Sequence, residues 1–197
     1  MAVGASSSEP EVRRAVKDVF ALIEAQGQSD YIGEAVSQIA HSLQAATLAQ
    51  FAGADDETIL GALLHDIGRF IPAAEQMESM LDSDGLYVGK ASHEVLGEQY
   101  LRQLRFSETI CQLVGAHVMA KRYLCAVDKA YYNGLSKSSK TTLSDEEVKA
   151  ANRDPLLEAK LAVRRWDDLA KDPDMKTPPL SSFEGRAVRS LLISRSQ

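Results

Sequence analysis

The chain has 197 residues, 45% of them hydrophobic, with a formal net charge of −6 and a pI near 5.3. That length gives one domain a real core and is marginal for two. An acidic chain lacks the basic surface that nucleic acid or an anionic membrane needs, and no apolar run nears the roughly 18 residues that span a bilayer, so neither partner is expected.

Met1 to Ser8 are small and polar; residues 1–8 read as a flexible N-terminal tail rather than a signal peptide, with residues 9–197 as the folded unit. Val12, Val16, Val19, Phe20 and Ile23 then recur at three- and four-residue steps, which predicts a helix from about Pro10 to Gln26. A second helix, Glu34 to Ala52, carries Val36, Ile39, Leu43 and Ala46 on one face and stops at Gly53. Asp55 or Asp56 caps a third, running through Ile59, Leu60, Leu63 and Leu64 to His65 and Asp66. Pro72 to Ala91 has the composition of an irregular segment. Ser92 reads as the N-cap of a helix through Val95, Leu96, Tyr100 and Leu104, and Ser107 as the cap of another that ends at His117. Lys121 to Ser139 suits two short helices, and Ser144 to Glu147 has the form of a capping box. A long helix from about Pro155 to Lys171 and a last one near Phe183 to Ile193 complete an all-α, single-domain reading. Cys111 and Cys125 make no disulfide framework, so a reducing, cytoplasmic setting is expected.

All four histidines fit one purpose. His41 precedes His65 by 24 residues, His93 precedes His117 by the same distance, and Asp66 follows His65 directly. Neutral imidazole with a carboxylate to balance charge is what iron and zinc prefer. On a continuing helix Asp66 lies about 100° from His65, placed to bridge two ions. His65 shares a face with Gly61 and Ala62, whose small size lets another element approach. Asp167, beside Trp166 late in an amphipathic helix, is the candidate for the remaining acid. Lys121 is one turn from His117 and Arg164 three residues before Asp167, so both cations face the side of a neighbouring ligand.

His41, His65-Asp66 and Asp167 match the pattern of the HD-domain superfamily, and His93 with His117 matches its two-metal branch. The segments from Tyr31 through Glu34 to His41, from His117 through Lys121 to Cys125, and Arg164 to Asp167 resemble the HD-domain mixed-valence diiron oxygenases of phosphonate catabolism. The resemblance covers about Gln26 to Lys171 and implies an HD-domain helical bundle. It implies one iron held by His41, His65, Asp66 and Asp167, and a second by His93, His117 and the shared Asp66, as an Fe(II)/Fe(III) pair with O2 as co-substrate. It also implies that Tyr31, assisted by Glu34, covers an iron until a small anionic substrate displaces it. Lys121, Ser139 and Arg164 then help bind the phosphonate. The implied reaction oxidises the hydroxyl-bearing carbon of a 1-hydroxyphosphonate and cleaves its carbon–phosphorus bond, giving a carboxylic acid and phosphate. Two positions depart from the pattern: Arg69 stands where these enzymes carry a histidine that contacts substrate, and Ala40 where they usually carry an acid. Arg69 still offers a cation to an acid group. The competing reading is a metal-dependent phosphohydrolase, with Arg69, Lys121 and Arg164 holding phosphate; Tyr31 and Glu34 discriminate, since a hydrolase has no use for them.

Overall fold

A computed structural model describes residues 8–31, 34–76, 78–81, 87–90, 92–135 and 140–196. The expected N-terminal tail falls outside these except for Ser8. Ser8 belongs to the first helix, its N–H donating to Glu11 Oε2 at 2.9 Å. That helix, α1 (Glu9–Gln26), buries the five apolar residues the periodicity selects and packs on the C-terminal helix α10 (Glu184–Ser196).

Helix α2 (Gln38–Phe51) begins four residues later than the sequence predicts. Ser37 is its N-cap, accepting from Ala40 N–H at 3.2 Å, and Ser37 also bridges Asp30 in extended geometry. A side-chain oxygen there satisfies an otherwise unpaired helix N–H, which fixes the start. Fully buried Ala45, Ala46 and Ala49 let α3 (Asp56–Leu64) and α9 (Leu157–Leu169) approach α2 closely. Asp55, not Asp56, caps α3, accepting from Thr58 N–H at 2.7 Å. Nine residues are too few to hold a helix in isolation. Every residue of α3 from Thr58 to Leu64 is buried, and that packing supplies its stability.

The segment expected to be irregular contains a short antiparallel hairpin, β1 (Ser79–Leu81) and β2 (Tyr87–Lys90). Helix α4 is His93–Gln103. Its preceding residue Ser92 is in the left-handed region (φ 57°) and makes no side-chain cap, contrary to expectation. The helix predicted from Ser107 to His117 is α5 (Glu108–Gly115); it breaks at Ala116, and α6 (His117–Val127) begins at His117, four residues before the sequence places the next helices. Helices α7 (Lys129–Gly134) and α8 (Asp145–Ala151) follow, the latter with the predicted capping box at Ser144 and Glu147. The chain is thus all-α apart from the hairpin. Most of α1, α2, α3, α5 and α10 shares one core; Ala120, Leu124, Leu157 and Leu161 make a smaller one that ties α6 to α9. Among the described residues no helix is long and apolar enough to cross a membrane, and both cysteines are buried outside any disulfide.

Candidate metal centre

The ligand-type residues stand at helix ends and beginnings. His41 lies in the first turn of α2, and His65 caps the C-terminus of α3. The helix does not continue through Asp66, as the sequence reading assumed. Asp66 takes φ −99° and ψ 11°, the sparsely populated bridge region, and leads into a 3-10 turn at Ile67–Arg69. His93 is the first residue of α4 and His117 the first of α6. Asp167 comes from the last turns of α9.

Two glycines bring the Asp66 turn against α4. A Cβ on Gly68 would sit 1.9 Å from the carbonyl oxygen of His93, and one on Gly97 would sit 3.1 Å from Gly68 N. At Gly68 only a hydrogen lets the two backbones meet, and at Gly97 a methyl group would fit tightly. Gly61 does the same for α3 against Leu113 of α5.

All six residues are buried and converge. His41 Nε2 lies 3.1 Å from His65 Nε2, and His93 Nε2 lies 2.9 Å from His117 Nε2. Asp66 stands between the pairs, Oδ1 at 3.2 Å from His93 Nε2 and Oδ2 at 3.7 Å from His65 Nε2. Asp167 Oδ1 is 3.2 Å from His41 Nε2 and 3.8 Å from His65 Nε2. Donor atoms of His41, His65 and Asp66 lie within 4.8 Å of one another, as do those of Asp66, His93 and His117.

The donor chemistry fits a cation in each group. The Nδ1 atoms of His41, His65 and His117 face the carbonyls of Ala170, Ala62 and Val114 at 2.8, 2.8 and 3.1 Å. Each Nδ1 therefore carries the proton and donates it, leaving Nε2 as a lone pair. Two such lone pairs face each other in the His41–His65 pair, an arrangement that needs a positive charge between them. The spacing suits a metal. Bonds of about 2.1 Å at right angles put neighbouring donors about 3.0 Å apart. Asp66 Oδ2 is buried with no hydrogen-bond partner among the described residues, a costly state for a carboxylate that a cation would relieve.

The charge states of both acids and of His65 and His117 agree. Burial pushes both carboxyls toward the neutral acid, but Arg69 beside Asp66, Arg164 beside Asp167 and the histidines more than offset it. Both are held well below the usual carboxylate range. Burial pushes His65 down and His117 down to about 3, so both are neutral at pH 7. For His41 burial opposes charge, yet the hydrogen bond and charge of Asp167 raise it.

Around this cluster, Tyr31 lies flat on His41, ring centroids 3.8 Å apart with 16° between planes. Glu34 turns to Lys171 at 2.7 Å, and the Lys171 ammonium and Arg69 guanidinium lie 6.0 and 5.9 Å from the Tyr31 ring. Arg69 Nε is 3.1 Å from Asp66 Oδ1. Arg164 Nη1 donates to Asp167 Oδ2 at 2.6 Å, and its other edge meets Asp168 and Tyr131. Lys121 is half-buried, its charge disfavoured by burial and by Arg164. Ser139 lies outside the described residues. Sequence reading passed over Asp168, Tyr131 and Lys171. Adjacency to Asp167 was a signal for the first, but the other two come from distant segments that only the fold brings near.

A family model described as HD domain matches residues 39–172, a span that includes all six converging residues. The chain is 36% identical over 175 residues to hydroxymethylphosphonate dioxygenase of Gimesia maris, covering 85% of this chain and 84% of that one. It is 38% identical over 188 residues to the 1-hydroxy-2-(trimethylamino)ethylphosphonate dioxygenase (glycine-betaine-forming) of Leisingera caerulea, covering 89% and 92%. An uncharacterized protein of Acanthamoeba polyphaga mimivirus is 33% identical over 186 residues, covering 89% and 81%.

Proposed function

The chain belongs to the HD-domain family, and we propose that within it the protein is an O2-dependent diiron oxygenase acting on a small 1-hydroxyphosphonate. The hydroxyl-bearing carbon is oxidised and its bond to phosphorus cleaved, giving a carboxylic acid and phosphate. For hydroxymethylphosphonate the balance is one O2 in, formic and phosphoric acids out, with both oxygen atoms retained in the products. The observation that carries the reading is the pair of buried histidine groups joined by Asp66, in a chain whose relatives include two hydroxyphosphonate dioxygenases.

His41, His65, Asp66 and Asp167 would hold one iron, and His93, His117 and Asp66 the other. Bound there, the pair would activate O2 and offer an electrophilic surface to the substrate's oxygens, the substrate itself supplying the four electrons that reduce O2. The protein's own groups do the rest. Tyr31, laid against His41, covers one approach to the cluster and excludes water from it; the Glu34–Lys171 ion pair pins the segment that carries it. Lys121 has no hydrogen-bond partner among the described residues and sits beside the cluster's acids, which suits it to the phosphonate dianion. Arg164 has N–H groups to spare on Nη1 and Nη2 for the same anion, and Ser139 is assigned with them. Arg69, half-buried beside Asp66 and Tyr31, supports an acidic substrate rather than a cationic one.

Oxygen uptake by iron-loaded, ascorbate-reduced protein tests this, with hydroxymethylphosphonate, 2-amino-1-hydroxyethylphosphonate and a phosphate monoester as substrates. Stoichiometric O2 consumption with phosphate release from a hydroxyphosphonate is the expected result. Phosphate release from the ester without O2 uptake would instead establish a phosphohydrolase.

A further inference from the structure

The Arg164 guanidinium is almost buried, with 12% of its side chain exposed, and two carboxylates of α9 and a phenol of α7 bond to it. Asp168, one turn on, takes the Nε–Nη2 edge: Nε donates to Asp168 Oδ2 at 3.1 Å and Nη2 to Asp168 Oδ1. Tyr131 of α7 closes the arrangement, its hydroxyl donating to Asp168 Oδ2 at 2.7 Å and accepting from Arg164 Nε at 3.1 Å. Nη1 is the atom that meets Asp167, through Oδ2 at 2.6 Å. The other oxygen, Asp167 Oδ1, is the one directed at His41 Nε2.

We propose that Asp168 and Tyr131 are positioning residues that keep Asp167 a one-oxygen ligand. An arginine fork prefers to grip a carboxylate with two parallel hydrogen bonds. Left alone with Asp167, Arg164 would take both of its oxygens and withdraw the acid from His41 and His65. Asp168, bonded along the Nε–Nη2 edge, fixes the guanidinium in the orientation that offers Asp167 a single N–H donor, and Tyr131, on a separate helix 37 residues away in sequence, holds Asp168 there. An ordinary exposed i,i+4 ion pair would add only a few tenths of a kcal/mol and no such constraint. Second-layer partners of this kind typically change metal affinity about 10–100-fold.

The inference rests on the metal-binding part of the proposed function and not on its substrate. The test is titration of the metal-free protein with Mn(II), followed by EPR, together with the iron content of protein purified from iron-supplied cells. Asp168→Asn should behave as a weaker version of Asp167→Ala: one ion bound about 10–100-fold more weakly, the other unchanged. Tyr131→Phe should move the same ion by a smaller factor. The melting temperature of the metal-free protein should stay near wild type in both. Two ions bound with wild-type affinity in Asp168→Asn, with only a lowered melting temperature, would reduce the network to packing and overturn the proposal. A wild-type protein that binds two ions but turns over no hydroxyphosphonate would overturn the substrate reading alone; one that binds no ion overturns both.

Discussion

The two halves of the cluster are built by different means. On the Asp167 side the acid is braced by side chains: Arg164 holds it, and Asp168 and Tyr131 hold Arg164. On the Asp66 side the acid stands in a tight turn whose backbone is pressed into α4 at Gly68 and Gly97, which sets His93 beside it. A side-chain brace can be weakened by degrees, because each hydrogen bond is lost separately. Backbone contact without room for a methyl group fails all at once. One half of the site should therefore be tunable and the other brittle.

The largest effect should come from the residue the halves share. Asp66→Ala removes the one acid among the described residues within reach of all three histidines His65, His93 and His117, and iron content should fall from two ions per chain to less than one with turnover abolished. Full iron content in that variant, measured by elemental analysis, would mean that no ion is bridged there. Next comes Gly68→Ala. Its methyl group meets the His93 carbonyl oxygen at 1.9 Å, so α4 must move away from the turn. Overpacking of this kind costs about 1–3 kcal/mol, readable by denaturant unfolding. The ion held by His93 and His117 should be lost preferentially. If it is retained while stability falls, the brittle half is less brittle than its packing indicates.

How much of this was legible in the sequence follows the same division. Helices with an apolar stripe announced themselves: α1 and its five buried residues came straight from periodicity. The six converging residues were also legible, because histidine is rare here and its spacing repeated. What periodicity missed were the interruptions, at Glu34–Ser37, at Asp66 and at Ala116. In each the local pattern permits a helix, and tertiary demands override it: His117 must begin a helix to aim its Nε2 inward, and Asp66 must leave one to reach the second pair. Ser92 has the composition of a cap, but its backbone is left-handed and its side chain makes no cap hydrogen bond. The Tyr131–Asp168 brace depends on how α7 settles against α9, which no local pattern encodes.

A smaller effect, and one confined to substrate, is expected of Lys121→Ala. Its ammonium lies beside the tunable half without a hydrogen-bond partner among the described residues, so the metals should bind as before. KM for a hydroxyphosphonate should rise about 10-fold or more, the worth of one charge-assisted contact, with kcat little changed. A fall in kcat at unchanged KM would move Lys121 from anchoring the anion to stabilising the reaction itself.

The smallest effect tests whether the brace is local. Lys160 lies on α9, two turns before Asp167. Only 7% exposed, it donates to Asp154 Oδ2 at 2.5 Å and to Gln112 Oε1 at 3.1 Å. Burial raises the Asp154 carboxyl, but the hydrogen bonds from Lys160 and Leu156 N–H and the charge of Lys160 together outweigh this and lower it. A carboxyl lowered on folding stabilises the native state above its unfolded pKa, and that contribution is lost as pH falls through the folded value. Asp154→Asn should therefore cost about 1–2 kcal/mol at pH 7, a partly exposed pair being discounted for solvent. The difference from wild type should shrink as pH falls below about 4, where the wild-type carboxyl also becomes neutral. Metal affinity should not move, because Lys160 bonds to Asp154 and Gln112 and not to Arg164, Asp167 or Asp168. If Asp154→Asn weakened the Asp167 ion as much as Asp168→Asn does, α9 as a whole would be setting the ligand, and the contrast between a side-chain brace and a backbone clamp would have to be abandoned.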